Sequence, residues 1–198
     1  CECDETLDEP YHMPFPDGMS ALEKHRVLMM AARNEMLQKH QKAAHALSEQ
    51  AIGIAKMVNS DYHIAMSLHA IGQSFEAVDN VDAARLYYQM VAKMLKEPEH
   101  PGSDVKLSDI LLFSTLLELG NLTKESIPKE SVEVLSEAIE LMQEKKNDQN
   151  YFLQNALLTR AIAKDNMKDI AGKEHDCDAA LVAIIEEAKM RLPFMDRE

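Results

Sequence analysis

Beyond the first eighteen residues, apolar side chains return every three or four positions almost to the end of the chain, which is the period of a helix with one face turned inward. Ala21, Leu28, Ala32 and Met36 share such a face, and Ser20 with Glu23 three residues on stands at the spacing of a capping box, so a helix is predicted from about residue 20 to 38. From Lys42 the set Ala44, Leu47, Ala51, Ile54, Ala55 and Val58 keeps the same period with a weakly marked break before it. The pattern therefore predicts either two helices or one running from Ser20 to Val58. Asn59-Ser60-Asp61 is a clear stop and restart. Leu68, Ile71, Gly72 and Phe75 then line one helix, Asp79-Asn80-Val81-Asp82 reads as a turn, and Ala84, Tyr88 and Val91 line the next. Gly72 and Ala84 allow two antiparallel helices to approach closely, while Phe75 and Tyr88 fill the wider space beside them.

A connector from Lys96 to Ser103 holds Pro98, Pro101 and Gly102. A third pair follows, with Leu112, Leu116, Leu119 and Gly120 before Ile127-Pro128 and with Ser131, Leu135, Ala138 and Leu141 after it. The polar run from Lys145 to Asn150 is a second connector. The fourth pair places Leu153, Leu157, Ala161 and Met167 on one helix, a turn near Lys168-Asp169, and Cys177, Ala180, Ile184 and Ala188 on the last, which Pro193 is expected to end. The second helices carry a small, large, small pattern, clearest at Ser131-Leu135-Ala138, close at Ala84-Tyr88-Val91 and looser at Ala44-Ser48-Ala51 and Lys173-Cys177-Ala180, with starts 40, 47 and 42 residues apart. Such self-similarity predicts an all-α solenoid of about four helix pairs over residues 19–192. An acidic, proline-containing extension of residues 1–18 precedes it, extended or disordered, and a tail of residues 193–198 follows.

The stretch Leu68-x2-Ile71-Gly72-x2-Phe75 followed by Ala84-x3-Tyr88-x2-Val91 resembles the tetratricopeptide repeat signature. The long spacer Glu97-Pro98-Glu99-His100-Pro101 is similar to those of kinesin-light-chain-type repeats. The first, third and fourth pairs match the signature only in part. This resemblance implies a right-handed superhelix whose concave face, lined by the first helix of each pair, receives a peptide or another protein. It places Arg26, Met29, Met30 and Arg33, then Met66, His69, Ala70 and Gln73, then Ser114, Leu117, Glu118 and Asn121 on that face. Met66, His69, Ala70, Gln73 and Leu117 are the residues expected to meet a partner. The Lys, Arg and Asn set with which some relatives of that family clamp a C-terminal carboxylate is incomplete here, which argues against a chaperone tail as the partner.

Composition narrows the classes further. Six Gly, seven Pro, no Trp and thirteen Met suit helices. The formal net charge of −13, six of it from acids within residues 1–18, argues against a nucleic-acid partner or an anionic membrane surface. No run of residues is apolar enough to predict a membrane span. Three cysteines, Cys1, Cys3 and Cys177, are too few for a disulfide framework. The first residue is Cys rather than Met, so a trimmed chain and a processed mature form, the latter fitting an organelle interior, both stay open.

Candidate chemistry is sparse. No two of the eight histidines stand at the i, i+4 spacing of a helical zinc site, and they are expected to be solvated or capping residues. Cys177 is expected in the core, and Glu174, His175, Asp176 and Asp178 on a solvated face, because consecutive helical residues cannot converge on one atom. Met29, Met30, Met66, Met90 and Met94 suit either a core or an adaptable surface. The expectation is a non-catalytic protein-interaction scaffold without cofactor or metal, free-standing or a permanent subunit of a larger assembly. The alternative is a regulatory sensor whose groove binds a peptide or small ligand.

Overall fold

The computed structural model describes residues 13–98, 105–144 and 150–195 of the chain. Cys1, Cys3, residues 1–12 of the expected extension and most of both connectors lie outside them. The described residues form eight helices and no strand: α1 (Ala21–Leu37), α2 (Gln41–Met57), α3 (Asp61–Glu76), α4 (Val81–Lys96), α5 (Val105–Thr123), α6 (Pro128–Glu144), α7 (Asn150–Asn166) and α8 (Ile170–Met195). Residues 20–58 are thus two helices. The chain divides into two compact units, Cys1–Asp109 and Ile110–Glu198.

In the first unit α1 packs on α2, α2 on α3 and α3 on α4. Ser20 caps α1 as the sequence predicts, its hydroxyl accepting from the Glu23 amide while Glu23 accepts from the Ser20 amide. Three turns reverse the chain by one device: Lys39, Asn59 and Asp79 each take a positive φ, and the amide of the next residue reaches back five positions, His40 to Glu35, Ser60 to Ala55 and Asn80 to Phe75. Lys168 repeats it between α7 and α8, where the Asp169 amide bonds the Lys164 carbonyl. Ser60 and Asn80 then cap the following helices.

In the second unit α6 packs on α7 and α7 on α8. The α5 and α6 helices meet where a Cβ on Gly120 would lie 2.5 Å from Leu135 Cγ, and Ser131 Oγ donates to the Gly120 carbonyl at 2.8 Å. Gly72 and Tyr88 stand in the same relation in the first unit, a Cβ on Gly72 falling 2.6 Å from Tyr88 Cε1. Leu68, Ile71, Ala84, Tyr88 and Val91 are buried, and Phe75, half-buried, stacks on Tyr87 at 5.5 Å.

The sequence misjudges the last pair. Asp176, not Cys177, turns inward, and Ala180 and Ala183 share its face, while Cys177, Ile184, Ala188 and Met167 are exposed. The small residue beginning the α8 pattern is consequently Gly172 rather than Lys173, four positions before Asp176 as Ala84 is before Tyr88. The α8 helix also runs through Pro193 to Met195. Only its final turn lacks the proline amide, so the ring interrupts little helix.

Candidate functional site

The inward positions of the four hairpins differ in a way that shapes the molecule. Sixteen residues separate Gly72 from Tyr88 and Arg160 from Asp176, and fifteen separate Gly120 from Leu135. The equivalent pair in the first hairpin is Ala32 and Ser48, both buried and both small. Where Tyr88 and Leu135 fill the space between their helices, Ser48 cannot, and its hydroxyl is turned back onto the Ala44 carbonyl at 2.9 Å. A cavity of about 850 Å³ opens there, with Ala32, Ala44 and Ser48 at its floor.

The walls come from α1 and α3. Met29, Met30, Met36 and Leu37 line one side and Met66, His69 and Ala70 the other, with Arg26, Arg33, Gln73 and Glu76 supplying the polar atoms. Four thioether side chains make this wall apolar and conformationally adaptable. Arg26 and Arg33 are exposed, two helical turns apart on α1, and neither has an ion-pair partner among the described residues. Glu76 is engaged, its carboxylate accepting from the Tyr88 hydroxyl at 2.7 Å. Met66, His69, Ala70 and Gln73 thus lie around one cavity together with Arg26, Met29, Met30 and Arg33, whereas Leu117 is buried in the second unit and lines no part of it.

Beneath the cavity α1 and α3 are joined by a buried polar cluster that sequence reasoning assigns to the surface. His25 is 1% exposed, with its Nε2 3.2 Å from the His63 carbonyl and 3.0 Å from Ser67 Oγ. A carbonyl only accepts, so the imidazole donates to it when Nε2 carries the proton, and accepts from the Ser67 hydroxyl when it does not. The Ser67 hydroxyl lies within donating distance of the His63 carbonyl and of Met29 Sδ. Burial, reinforced by the neighbouring His63, pushes His25 down to about 4. His63, edge-on to His25 at 4.8 Å, is also lowered by burial. His69, tilted against Tyr88, is lowered by burial to about 4 despite the opposing charge of Glu76. The sequence places these histidines in solvent or at helix caps; His63 does meet the Ser60 cap, its Nδ1 2.7 Å from Ser60 Oγ, but spacing alone does not reveal that α1 and α3 bring positions 25 and 63 together or that His25 and His69 are buried.

The second unit holds a buried charge cluster. Asp176, fully buried, accepts from Arg160 Nε at 2.8 Å and Nη2 at 2.6 Å, and from Lys164 Nζ at 2.9 Å. Burial disfavours its charge, but the hydrogen bonds from Arg160 and Lys164 outweigh this and hold its carboxyl below the usual range. Arg160 also donates to Ser136 Oγ at 2.9 Å, tying α6, α7 and α8 together. Among the described residues no three His, Cys, Asp or Glu side chains converge on a point where a metal ion could sit.

The class these features define is an all-α, repeat-like protein of consecutively packed helices, with a cavity of about 850 Å³ between α1, α2 and α3 and a second of about 720 Å³ lined by Lys56, Asp61, Ile64, Met90 and Met94. No described helix is long and apolar enough to cross a membrane. No protein-family model matches the chain, and no curated protein matches it.

Proposed function

We propose that this protein is a non-catalytic interaction module, a tetratricopeptide-like scaffold or adaptor, which receives a segment of a partner protein in the cavity between α1 and α3. The observation that carries this reading is the vacancy at Ala32 and Ser48. It leaves about 850 Å³ open beneath a wall of methionines, whereas the corresponding space is filled in the Gly72–Tyr88 and Gly120–Leu135 hairpins. A bulky apolar side chain of the partner would occupy the floor and adapt the flexible thioethers around itself. Arg26 and Arg33, about 10 Å apart on one side of α1, favour carboxylates flanking that anchor. The resemblance of Leu68 to Val91 to the tetratricopeptide signature supports the same use of first helices.

Selection of displayed peptides against the full chain tests this reading. Recovered peptides should carry a large apolar residue with acidic neighbours, and Met66→Glu and the double variant Arg26→Glu/Arg33→Glu should each weaken their binding at least tenfold. Binding unaltered by both would refute it. The cavity volume also lies in the range of small-molecule sites, which favours a ligand-binding sensor as a second reading. A thermal-shift screen separates the two, because a small ligand well above its Kd raises the melting temperature.

A further inference from the structure

The α8 helix carries an exposed apolar stripe that the fold does not use. Cys177, Leu181, Ile184, Ile185 and Ala188 recur at helical spacing on one face, next to the inward positions Asp176, Ala180 and Ala183. Leu181 is 55% exposed, Ile184 43% and Ile185 44%. Aligning the second helices on Ser48, Tyr88, Leu135 and Asp176 identifies the equivalent positions elsewhere. For Cys177, Leu181 and Ile184 they are Glu49, Gly53 and Lys56 on α2, Gln89, Lys93 and Lys96 on α4, and Ser136, Glu140 and Gln143 on α6; for Ile185 they are Met57, Glu97 and Glu144. Polar or charged residues dominate this face on three helices, and none stands in the stripe on the fourth. An ordinary solvated face would repeat the polar pattern.

We infer that the stripe is a contact with a second copy of this chain, in which two α8 helices pack antiparallel about a twofold axis passing near Val182 and Ala183. An isologous contact requires a patch that complements itself when reversed. Read from either end, this one runs small, large, large, small: Cys177, Leu181, then Ile184 with Ile185, then Ala188. Reversal sets Leu181 against Ile184 of the other copy and Cys177 against Ala188. Charge selects the same surface, because two copies of net charge −13 repel, and the stripe is an uncharged run where they can meet. It also selects the direction. Glu174, exposed one turn before the stripe, would face its own copy in a parallel pair and is carried to the opposite end in an antiparallel one.

The stripe runs from Cys177 to Ala188, about 16 Å of helix, so the contact belongs with small, reversible interfaces. Sedimentation equilibrium of the full chain up to about 100 µM should therefore show a mass rising from 22.3 kDa toward twice that value. Leu181→Glu/Ile185→Glu, both at exposed positions, should hold the mass at the monomer value with unchanged helical circular dichroism. A monomer at every concentration, or a dimer that persists in the folded double variant, overturns the proposal. Mild oxidation tests direction in a Cys1→Ser/Cys3→Ser background. Adding Ala188→Cys should yield a disulfide-linked dimer through Cys177, and the chain without that addition should not cross-link. Efficient cross-linking through Cys177 alone would overturn the antiparallel arrangement.

Discussion

A glycine is worth different amounts at Gly72 and Gly53, and the reason is local. A methyl group on Gly72 meets the Tyr88 ring, a large buried side chain donating to Glu76 and therefore costly to move. Around Gly53, on the exposed side of α2, nothing lies within 4 Å. Gly72→Ala should lower the unfolding free energy by about 1–3 kcal/mol through overpacking, and Gly53→Ala should raise it by about 0.5–1 kcal/mol through helix propensity; urea denaturation of both variants checks the opposite signs. The histidines give a second residue-scale expectation. His25 and His69 are held near 4 in the folded protein, below the ordinary value of 6.5, so the unfolded chain binds more protons between those limits. The stability they contribute is complete above about pH 6.5 and is lost as pH falls toward 4, amounting to about 2 kcal/mol for each by pH 5. Melting temperature should therefore fall between pH 7 and pH 5, and His25→Gln should show a shallower decline.

Four turns of one geometry join six of the helices, and two of them place a lysine where glycine is the least strained residue. Lys39→Gly and Lys168→Gly should each stabilise the chain by about 0.5–1 kcal/mol, read as an upward shift of the thermal midpoint. Asn59 and Asp79 tolerate the same backbone better, so glycine there should gain less. Much at this scale is legible in the sequence, because Asn59-Ser60 and Asp79-Asn80 combine a residue tolerant of positive φ with a helix cap. The α3/α4 hairpin is legible for a related reason: its small and large residues alternate at contact spacing. The α7/α8 hairpin is not. An aspartate at an inward position reads as surface until Arg160 and Lys164, sixteen and twelve residues earlier, are seen to reach it, and the neighbouring Cys177 then draws the predicted register one residue forward. The cavity around Met66 is legible only through family geometry, since hollowness is a property of the vacancy at Ser48 and not of the lining side chains.

At the scale of the molecule, the cavity and the α8 stripe fall in different compact units with no residue in common. Substitutions in one should leave the other intact: Met66→Glu should not change the sedimentation mass, and Leu181→Glu/Ile185→Glu should not change affinity for a selected peptide measured at concentrations where the chain is monomeric. The free-energy effects of combining them should add within about 0.5 kcal/mol. A double variant that departs from additivity would mean that the two surfaces are energetically coupled. The vacancy at Ser48 then acquires a meaning beyond shape. An aliphatic side chain there would contribute about 2–3 kcal/mol through apolar burial, as Leu135 does in the third hairpin, so the native serine forgoes that stability. On the proposed reading, a chain improved only for heat resistance closes this gap early and loses the proposed binding in the same step. Stabilising screens run without a binding readout would thus select against the binding proposed for the first hairpin.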